Sequence, residues 1–428
     1  MIIKDILTKK NIGNSPEIPN STKYRILTIY AFSFIMFGLL ADTPSDIIKG
    51  LYRIIKEPGV LITDYIAIGG MGATFINAGV LTLVSIFILY RLKINIGGVS
   101  IASVFLMTGF ALFGKNIANI WLIIIGAFLY AKTQKDKFSK YIYIALFGTS
   151  MAPTITEIMF SIKQPMIFRI SLSIFIGLGI GFILPPLSAY LLRVHQGFNL
   201  YNVGFTAGII GTVIVSVFRS YGFAPTSKLV WSTGNNVILG IFLTVLFVSM
   251  IVVGFYLNGK TFRNVRNIFS YSGRLVCDFV TLEGFGPALI NMGVNGLIGM
   301  AYILLVGGDL NGPTIGGILT IVGFGAFGKH VKNMTPVLLG VFLGSFTKIW
   351  NINDPPILLA ALFGTALAPI AGQFGWKYGM LAGFINSSVV LNVGVLHGGL
   401  NLYNTGFAAG IVAATMVPII EALRKEEI

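Results

Sequence analysis

The sequence predicts an all-α polytopic membrane protein made of two homologous halves, and its composition and an internal repeat are the observations that predict it. Of the 428 residues, 55% are hydrophobic and only 11% are charged, whereas a soluble globular chain carries about 25% charged residues. The mean hydropathy is +0.85. These values exclude an ordinary soluble enzyme and a disordered protein. Apolar stretches that run nearly end to end also exclude a single-span receptor, which leaves a helical bundle in a bilayer.

The apolar stretches define the membrane segments. A full span needs roughly 20 apolar residues, and several stretches are shorter or are broken by Gly, Pro or Asn. We therefore expect about 10–14 segments, some of them half-helices or re-entrant loops. The stretch 46–57 predicts an amphipathic helix at the interface. The apolar stretches are approximately 26–41, 66–90, 96–114, 117–131, 141–161, 166–194, 200–218, 229–258, 279–307, 312–328, 334–350, 355–374, 378–397 and 400–422.

An internal repeat divides the chain, and its three blocks occur in the same order in both copies. Such a duplication predicts pseudo-two-fold symmetry, with equivalent broken segments around a site near the membrane midplane. Whether the halves are inverted or parallel depends on the number of spans between them, which the sequence leaves open. The matched blocks are 64–119 with 278–333 (16 identities in 56 positions), 145–153 with 361–369 (7 of 9), and 195–208 with 397–410 (10 of 14).

The repeat sets the predicted domain boundaries. Residues 1–59 form an N-terminal segment with a first span and an interfacial helix, and 60–218 form the first half. Residues 219–273 form an extra span and a basic linker, and 274–428 form the second half.

The chain carries a net charge of +15, and its basic residues lie mostly in short gaps between apolar runs. This placement is typical of loops that stay on the cytoplasmic side, and it argues against nucleic-acid binding because no basic cluster is long. The N-terminus, residues 49–56 and residues 258–274 are all basic, so this rule does not assign one orientation. A single cysteine, Cys277, and three histidines predict no disulfide, no metal site and no cofactor.

The strongest motif, HxGxNLYNxGFxAG, occurs once in each half. On a helix, its His and two Asn residues would lie within about 60° of arc and would face a pore or the bundle interior. The alternative is that these groups only hydrogen-bond neighbouring helices together. The predicted pore-lining or solute-binding residues are His195, Asn199, Asn202, His397, Asn401 and Asn404.

Other repeated polar residues also stand in apolar runs. Asn77 and Asn291 lie in glycine-bearing stretches, where an amide either lines a filter or caps backbone groups freed by a helix break. Lys115 and Lys329, in the two FGK blocks, either extend to the interface or attract anions at a pore mouth.

Acidic residues are scarce, so each one is informative. A carboxylate in an apolar segment is typical of a cation or proton site, which makes Asp64, Asp278 and Glu283 candidates for ion coupling. Asp64 and Asp278 precede their spans, so they are also candidates for helix caps. Glu283 has Gly69 as its counterpart in the first half, so any role for Glu283 would be asymmetric.

The GxNLYNxGFxAG, FGK and ALFGTxxAP blocks resemble an uncharacterised family of bacterial polytopic membrane proteins, classed as a domain of unknown function. The resemblance covers most of the chain and implies a bacterial cytoplasmic membrane, but no activity. The FINAG and GFNLYN stretches are also faintly similar to urea channels, which are duplicated and have neutral hydrogen-bonding filters. Their signature Leu-Pro/Thr-Pro-Phe motif is missing here.

The sequence therefore predicts a multi-pass channel or facilitator for a small polar solute, either urea-, amide- or ammonium-like or a small carboxylate. One alternative is an ion-coupled secondary transporter. The other is a membrane scaffold or embedded enzyme that transports nothing. No catalytic motif is present, so we do not expect an enzyme. The expected partners are the lipid bilayer and the solute, with no nucleic acid, and a homo-oligomer stays open.

Overall fold

The computed structural model describes residues 17–425. The ends of the predicted segments 1–59 and 274–428 therefore lie partly outside the described residues. Two short 3₁₀ turns connect pairs of helices: Thr149–Met151 joins Ile142–Gly148 to Ala152–Ser161, and Thr365–Leu367 joins Pro355–Gly364 to Ala368–Phe374. The helices are α1 Asn20–Ala41, α2 Pro44–Lys56, α3 Tyr65–Gly69, α4 Met71–Arg91, α5 Gly98–Phe110, α6 Trp121–Thr133, α7 Ile142–Gly148, α8 Ala152–Ser161, α9 Met166–Val194, α10 Asn202–Ser220, α11 Asn236–Leu257, α12 Val265–Ile268, α13 Phe279–Leu282, α14 Phe285–Leu305, α15 Gly312–Phe324, α16 Val331–Gly344, α17 Pro355–Gly364, α18 Ala368–Phe374, α19 Trp376–Val393 and α20 Asn404–Lys425.

The predicted fold class is confirmed. Within residues 17–425, nine segments are long and apolar enough to cross a bilayer, and four shorter apolar helices accompany them: α5, α6, α15 and α16. The 18-residue α19 packs among them. The chain is thus a multi-pass membrane protein with fourteen segments in its described part. The predicted interfacial helix is α2, which has one strongly apolar face.

Glycines allow neighbouring antiparallel helices to approach each other closely. A Cβ added at Gly181 of α9 would lie 2.1 Å from the carbonyl oxygen of Ile123 in α6, and one at Gly126 would lie 2.3 Å from that of Leu178. Without a hydrophobic force between helices in lipid, such small residues allow the backbones to pack. The pairs α1–α4, α11–α14 and α16–α19 have the same close antiparallel packing.

The two halves meet along an antiparallel pair of short helices, α5 and α15. Gly98, at the start of α5, lies against Ala326, just past the end of α15, while Gly109 lies against Gly316. Helices α10 and α20 also cross at equivalent residues, because a Cβ at Gly204 would lie 3.3 Å from the Cα of Gly406. An antiparallel contact between equivalent helices requires a two-fold axis perpendicular to them.

This symmetry makes the repeat inverted. Each half holds seven crossing segments, with α7–α8 and α17–α18 counted as one each, and an odd number reverses the direction of the second half. Helices α1 and α11 both have 22 residues and pack equivalently on α4 and α14. The structural repeat therefore includes these two spans, which the sequence-based boundaries placed outside it.

Charge differs between the two ends of the bundle. We call side A the end with α2 and the loop 221–235, and side B the end with the loops 134–141 and 258–278. Lys115 and Lys329 lie in the interior, and the other described basic residues divide into eight on side A and seventeen on side B. Those on side A are Lys49, Arg53, Lys56, Lys163, Arg169, Arg219, Lys228 and Lys348. Because basic loops stay cytoplasmic, we expect side B to face the cytoplasm.

This topology predicts the labelling of single cysteines in intact cells. In a Cys277→Ser background, Lys49→Cys should react with a membrane-impermeant maleimide, and Lys135→Cys should react only after the cells are permeabilised. Both lysines are exposed. Native Cys277 should react slowly because burial raises the pKa of its thiol to about 12. Equal labelling of Lys49→Cys and Lys135→Cys in intact cells would contradict the topology.

Candidate functional site

The aspartates Asp64 and Asp278 cap helices of the opposite half. Asp278 Oδ2 accepts a hydrogen bond from Gly98 N at the start of α5, at 2.8 Å. Asp64 Oδ1 accepts one from Gly312 N at the start of α15, at 3.1 Å. Each carboxylate also caps its own short helix, through Thr281 N and Ile66 N respectively. These bonds satisfy free N–H groups and place negative charge at the positive helix end.

The asparagines Asn77 and Asn291 bind the other ends of the same two helices. Asn77 Nδ2 donates to the carbonyl oxygens of Ala111 and Lys115, at 2.7 and 2.8 Å. Asn291 Nδ2 donates to those of Gly325 and Lys329 at the same distances. In this structure the amides bind the backbone where α5 and α15 end, which is the second of the two roles that the sequence leaves open.

The helical arrangement predicted for the HxGxNLYN motif is wrong. Helices α10 and α20 begin only at Asn202 and Asn404, and residues 195–201 and 397–403 form turns instead. The chain turns through left-handed conformations at Gly197 (φ 80°) and Gly399 (φ 73°), which favour glycine. The His and Asn residues therefore do not form one helical stripe.

Hydrogen bonds from these turns join the two halves at the axis. Asn199 Nδ2 donates to Gly406 O at 3.0 Å, and Asn401 Nδ2 donates to Gly204 O at 3.1 Å. The Oδ1 atoms of the same amides accept from the backbone N–H groups of Tyr201 and Tyr403. Asn199 and Asn401 are fully buried, and both amides position the tyrosine that follows.

Each motif histidine supports an asparagine at the start of a helix. His195 Nε2 donates to Asn202 Oδ1 at 2.9 Å, and Asn202 Nδ2 donates to Ser188 O. His195 Nδ1 accepts from Asn199 N, so the ring is neutral with its proton on Nε2. His397 Nε2 donates to Asn404 in the same way, at 2.9 Å.

Two tyrosines that the sequence analysis did not select lie at the centre, one on each side of the two-fold axis. The rings of Tyr201 and Tyr403 are tilted against each other, with centroids 4.8 Å apart. Phe324 packs edge-on against Tyr201, and Phe110 against Tyr403. We call these four rings, with Phe363, the aromatic layer. Both tyrosines stand in the repeated NLYN sequence, so the repeat itself was the signal that could have identified them.

Lys115 and Lys329 do not extend to the membrane interface, which overturns that sequence-based alternative. Both lysines are fully buried, because each follows the turn that ends α5 or α15 and its side chain points into the bundle. Lys329 Nζ donates to the hydroxyl of Tyr201 and, at 2.7 Å, to Thr365 Oγ1. Lys115 Nζ lies 3.4 Å from Met107 Sδ and 3.5 Å from Leu146 O.

Two cavities lie on opposite sides of the aromatic layer. Cavity A, of about 200 Å³, includes exposed residues of side A such as Val395. Cavity B, of about 150 Å³, includes exposed Val276 of side B. Equivalent residues line both cavities. The pairs, with cavity A first, are Leu61 and Leu275, Phe113 and Phe327, Phe363 and Phe147, Leu402 and Leu200, and Asn404 and Asn202.

Of the predicted site residues, Asn202 lines cavity B and Asn404 lines cavity A. The motif histidines hold these two asparagines in place, and Asn199 and Asn401 bind the backbone of the opposite half. Glu283 lies at side B, where its carboxylate accepts hydrogen bonds from Tyr271 Oη at 2.5 Å and Asn267 Nδ2 at 2.9 Å. Within residues 17–425, no group of three His, Cys, Asp or Glu side chains has the arrangement of a metal site.

A comparison with protein families finds a match that covers most of the chain. The family model described as "Protein of unknown function (DUF1576)" matches residues 43–220 and 257–422, one segment in each structural half. Neither the curated proteins nor the solved structures include a significant match.

The turns that carry Asn199 and Asn401 predict a stability effect. Asn199→Leu leaves Gly406 O and Tyr201 N buried without their partner, at a cost of about 1–3 kcal/mol each. We expect a lower melting temperature for the purified protein in detergent. The matched control is Asn392→Leu, at an exposed position, which should change it little. Equal melting temperatures for the two variants would contradict the structural role of Asn199.

Proposed function

The chain belongs to the DUF1576 family, and from this premise we propose that it is a facilitator that carries a small polar solute between cavities A and B. The observation that carries the proposal is the pair of symmetry-equivalent cavities on opposite faces of one membrane bundle. Inverted repeats place a solute site near the midplane, at the interface between the halves.

The proposed route crosses the aromatic layer at the two-fold axis. Tyr201 and Tyr403 line cavity B, and Phe363 lines cavity A. The ring centroids of Phe363 and Tyr201 are 6.4 Å apart. The aromatic layer is therefore the barrier between the cavities. A shift of its rings would connect them, while the main helix contacts around the layer stay in place.

Cavity size and lining support a small solute with hydrogen-bonding groups. Volumes of 150–200 Å³ correspond to about five to seven water molecules at roughly 30 Å³ each. Asn202 and Asn404 supply one fixed amide in each cavity, held by His195 and His397. Preformed polar groups in an otherwise apolar cavity are typical of small-molecule sites.

Ion coupling and a purely structural role are the alternatives. Asp64 and Asp278 already cap helices in this structure, so a coupling ion would compete with these hydrogen bonds. Solute flux that requires a proton or sodium gradient would favour the coupled transporter. The absence of any flux would favour the scaffold.

A labelling experiment tests the route. We would label Val395→Cys and Val276→Cys, each in a Cys277→Ser background, with a bulky maleimide in detergent and reconstitute the protein into liposomes. Both valines are exposed and line a cavity. We expect the label to reduce stopped-flow solute flux severalfold, for a panel of urea, glycerol, formamide, ammonium and short carboxylates.

The matched controls carry the same label outside the cavities. Tyr221→Cys lies on side A and Lys135→Cys on side B, both at exposed positions. Their labelled forms should keep the flux of the unlabelled protein. The proposal is overturned if complete labelling at both valines leaves flux unchanged, or if no solute of the panel crosses faster than in protein-free liposomes.

A further inference from the structure

Two fully buried ammonium groups without a carboxylate partner lie next to the aromatic layer. Within the described part of the chain, Lys140 forms an ion pair with Asp136, and Lys228 forms one with Glu57. Neither involves Lys115 or Lys329. A charged lysine inside a membrane protein is costly unless it is paired, so the charged form of each lysine needs a compensating group.

The contacts of Lys115 are weak for an ammonium group. Met107 Sδ is a poor acceptor, and the 3.5 Å distance to Leu146 O is beyond the usual range of 2.7–3.2 Å. The Nζ atom also lies 4.9 Å from the centre of the Phe110 ring. These neighbours provide part of the stabilisation that an ammonium loses on leaving water, but no opposite charge.

Lys329 makes stronger hydrogen bonds than Lys115, but it also has no carboxylate to offset its charge. Thr365 Oγ1 donates its own hydrogen to Leu362 O at 2.6 Å, so it must accept from Lys329. The ammonium has three hydrogens, and two of them point to Thr365 and Tyr201. The third is available to a ligand.

The aromatic layer also contains a buried hydroxyl donor. Tyr403 is almost fully buried, and its hydroxyl has no hydrogen-bond partner among residues 17–425. Its ring packs on Tyr201, whose hydroxyl binds Lys329, and on Phe110, which Lys115 faces. Both tyrosines line cavity B. Both lysines thus contact the aromatic layer, to which Tyr403 belongs and through which the proposed route crosses the axis.

From this arrangement we infer that Lys115 and Lys329, with the Tyr403 hydroxyl, bind a small monovalent oxyanion, of which a short carboxylate is the representative. This inference rests on the proposed function and names its solute class. A single negative charge offsets one lysine, and carboxylate oxygens accept hydrogen bonds from both ammonium and phenol donors. The volume of cavity B limits the solute to a few carbon atoms.

Binding to the purified full-length protein tests the lysines directly. We would measure the melting temperature in detergent against rising sodium formate or acetate, with sodium gluconate keeping the ionic strength constant. The wild type should show a saturable rise. Lys115→Met and Lys329→Met should lose it, whereas Lys332→Met, an exposed neighbour, should keep it. A saturable rise that persists in both buried-lysine variants overturns the inference.

Removal of the Tyr403 hydroxyl gives a second variant, which should fold even if the lysine variants do not. Tyr403→Phe removes an oxygen that has no partner, so it breaks no hydrogen bond of the structure. It should weaken carboxylate binding severalfold. Tyr302→Phe, which also removes a buried hydroxyl without a partner but lies in α14, should bind as the wild type does. Equal affinities of the Tyr403→Phe variant and the wild type count against the site.

Flux under a membrane potential separates this inference from the proposed function. In liposomes with a potassium diffusion potential, anion uptake should follow the potential, while leakage of the neutral acid should not. Flux of urea or glycerol without potential-driven carboxylate flux overturns the inference and leaves the facilitator. Lysine-dependent carboxylate binding without flux of any solute overturns the facilitator and leaves the site. Saturable stabilisation by chloride alone would overturn the choice of an oxyanion.

Discussion

Helix ends inside an apolar interior must find hydrogen-bond partners within the protein, and this constraint organises the whole molecule. Helices α5 and α15 have only 13 residues each, so their ends lie among other helices. The carboxylates that cap their first turns come from the opposite half, through Asp278 and Asp64. Each half thus supplies a carboxylate to the first turn of the other half's short helix, and these crossed caps join the two halves.

The same constraint places the residues at the axis. Asn77 and Asn291 bind the carbonyl groups that follow α5 and α15, and the chain then turns at the FGK blocks. This turn holds the backbone of Lys115 and Lys329 inside the bundle. The Lys329 side chain therefore reaches Tyr201, and the Lys115 side chain reaches Phe110, rather than the lipid headgroups. Burial of the lysines thus follows from the way the short helices end.

The polar contacts of the two halves do not follow the two-fold symmetry completely. Lys329 binds two hydroxyl groups, whereas Lys115 lies against Met107, whose counterpart in the second half is Ile321. Glu283 likewise has only Gly69 as its counterpart. The two halves therefore share one backbone arrangement but make different polar contacts.

The sequence by itself determined the membrane class, the duplication and the approximate positions of most segments, because apolar length and repeated blocks are local properties. It offered helix capping and backbone binding for Asp64 and Asn77 among its alternatives, but not the partners, since Gly312 lies 248 residues from Asp64. It placed His195 and Asn199 on a helix, because periodicity does not reveal a left-handed turn at Gly197. Only the tertiary structure decided the inversion of the halves, the burial of Lys115 and Lys329 and the pairing of Tyr201 with Tyr403. Each of these depends on contacts between segments that are distant in the chain, which no local pattern encodes.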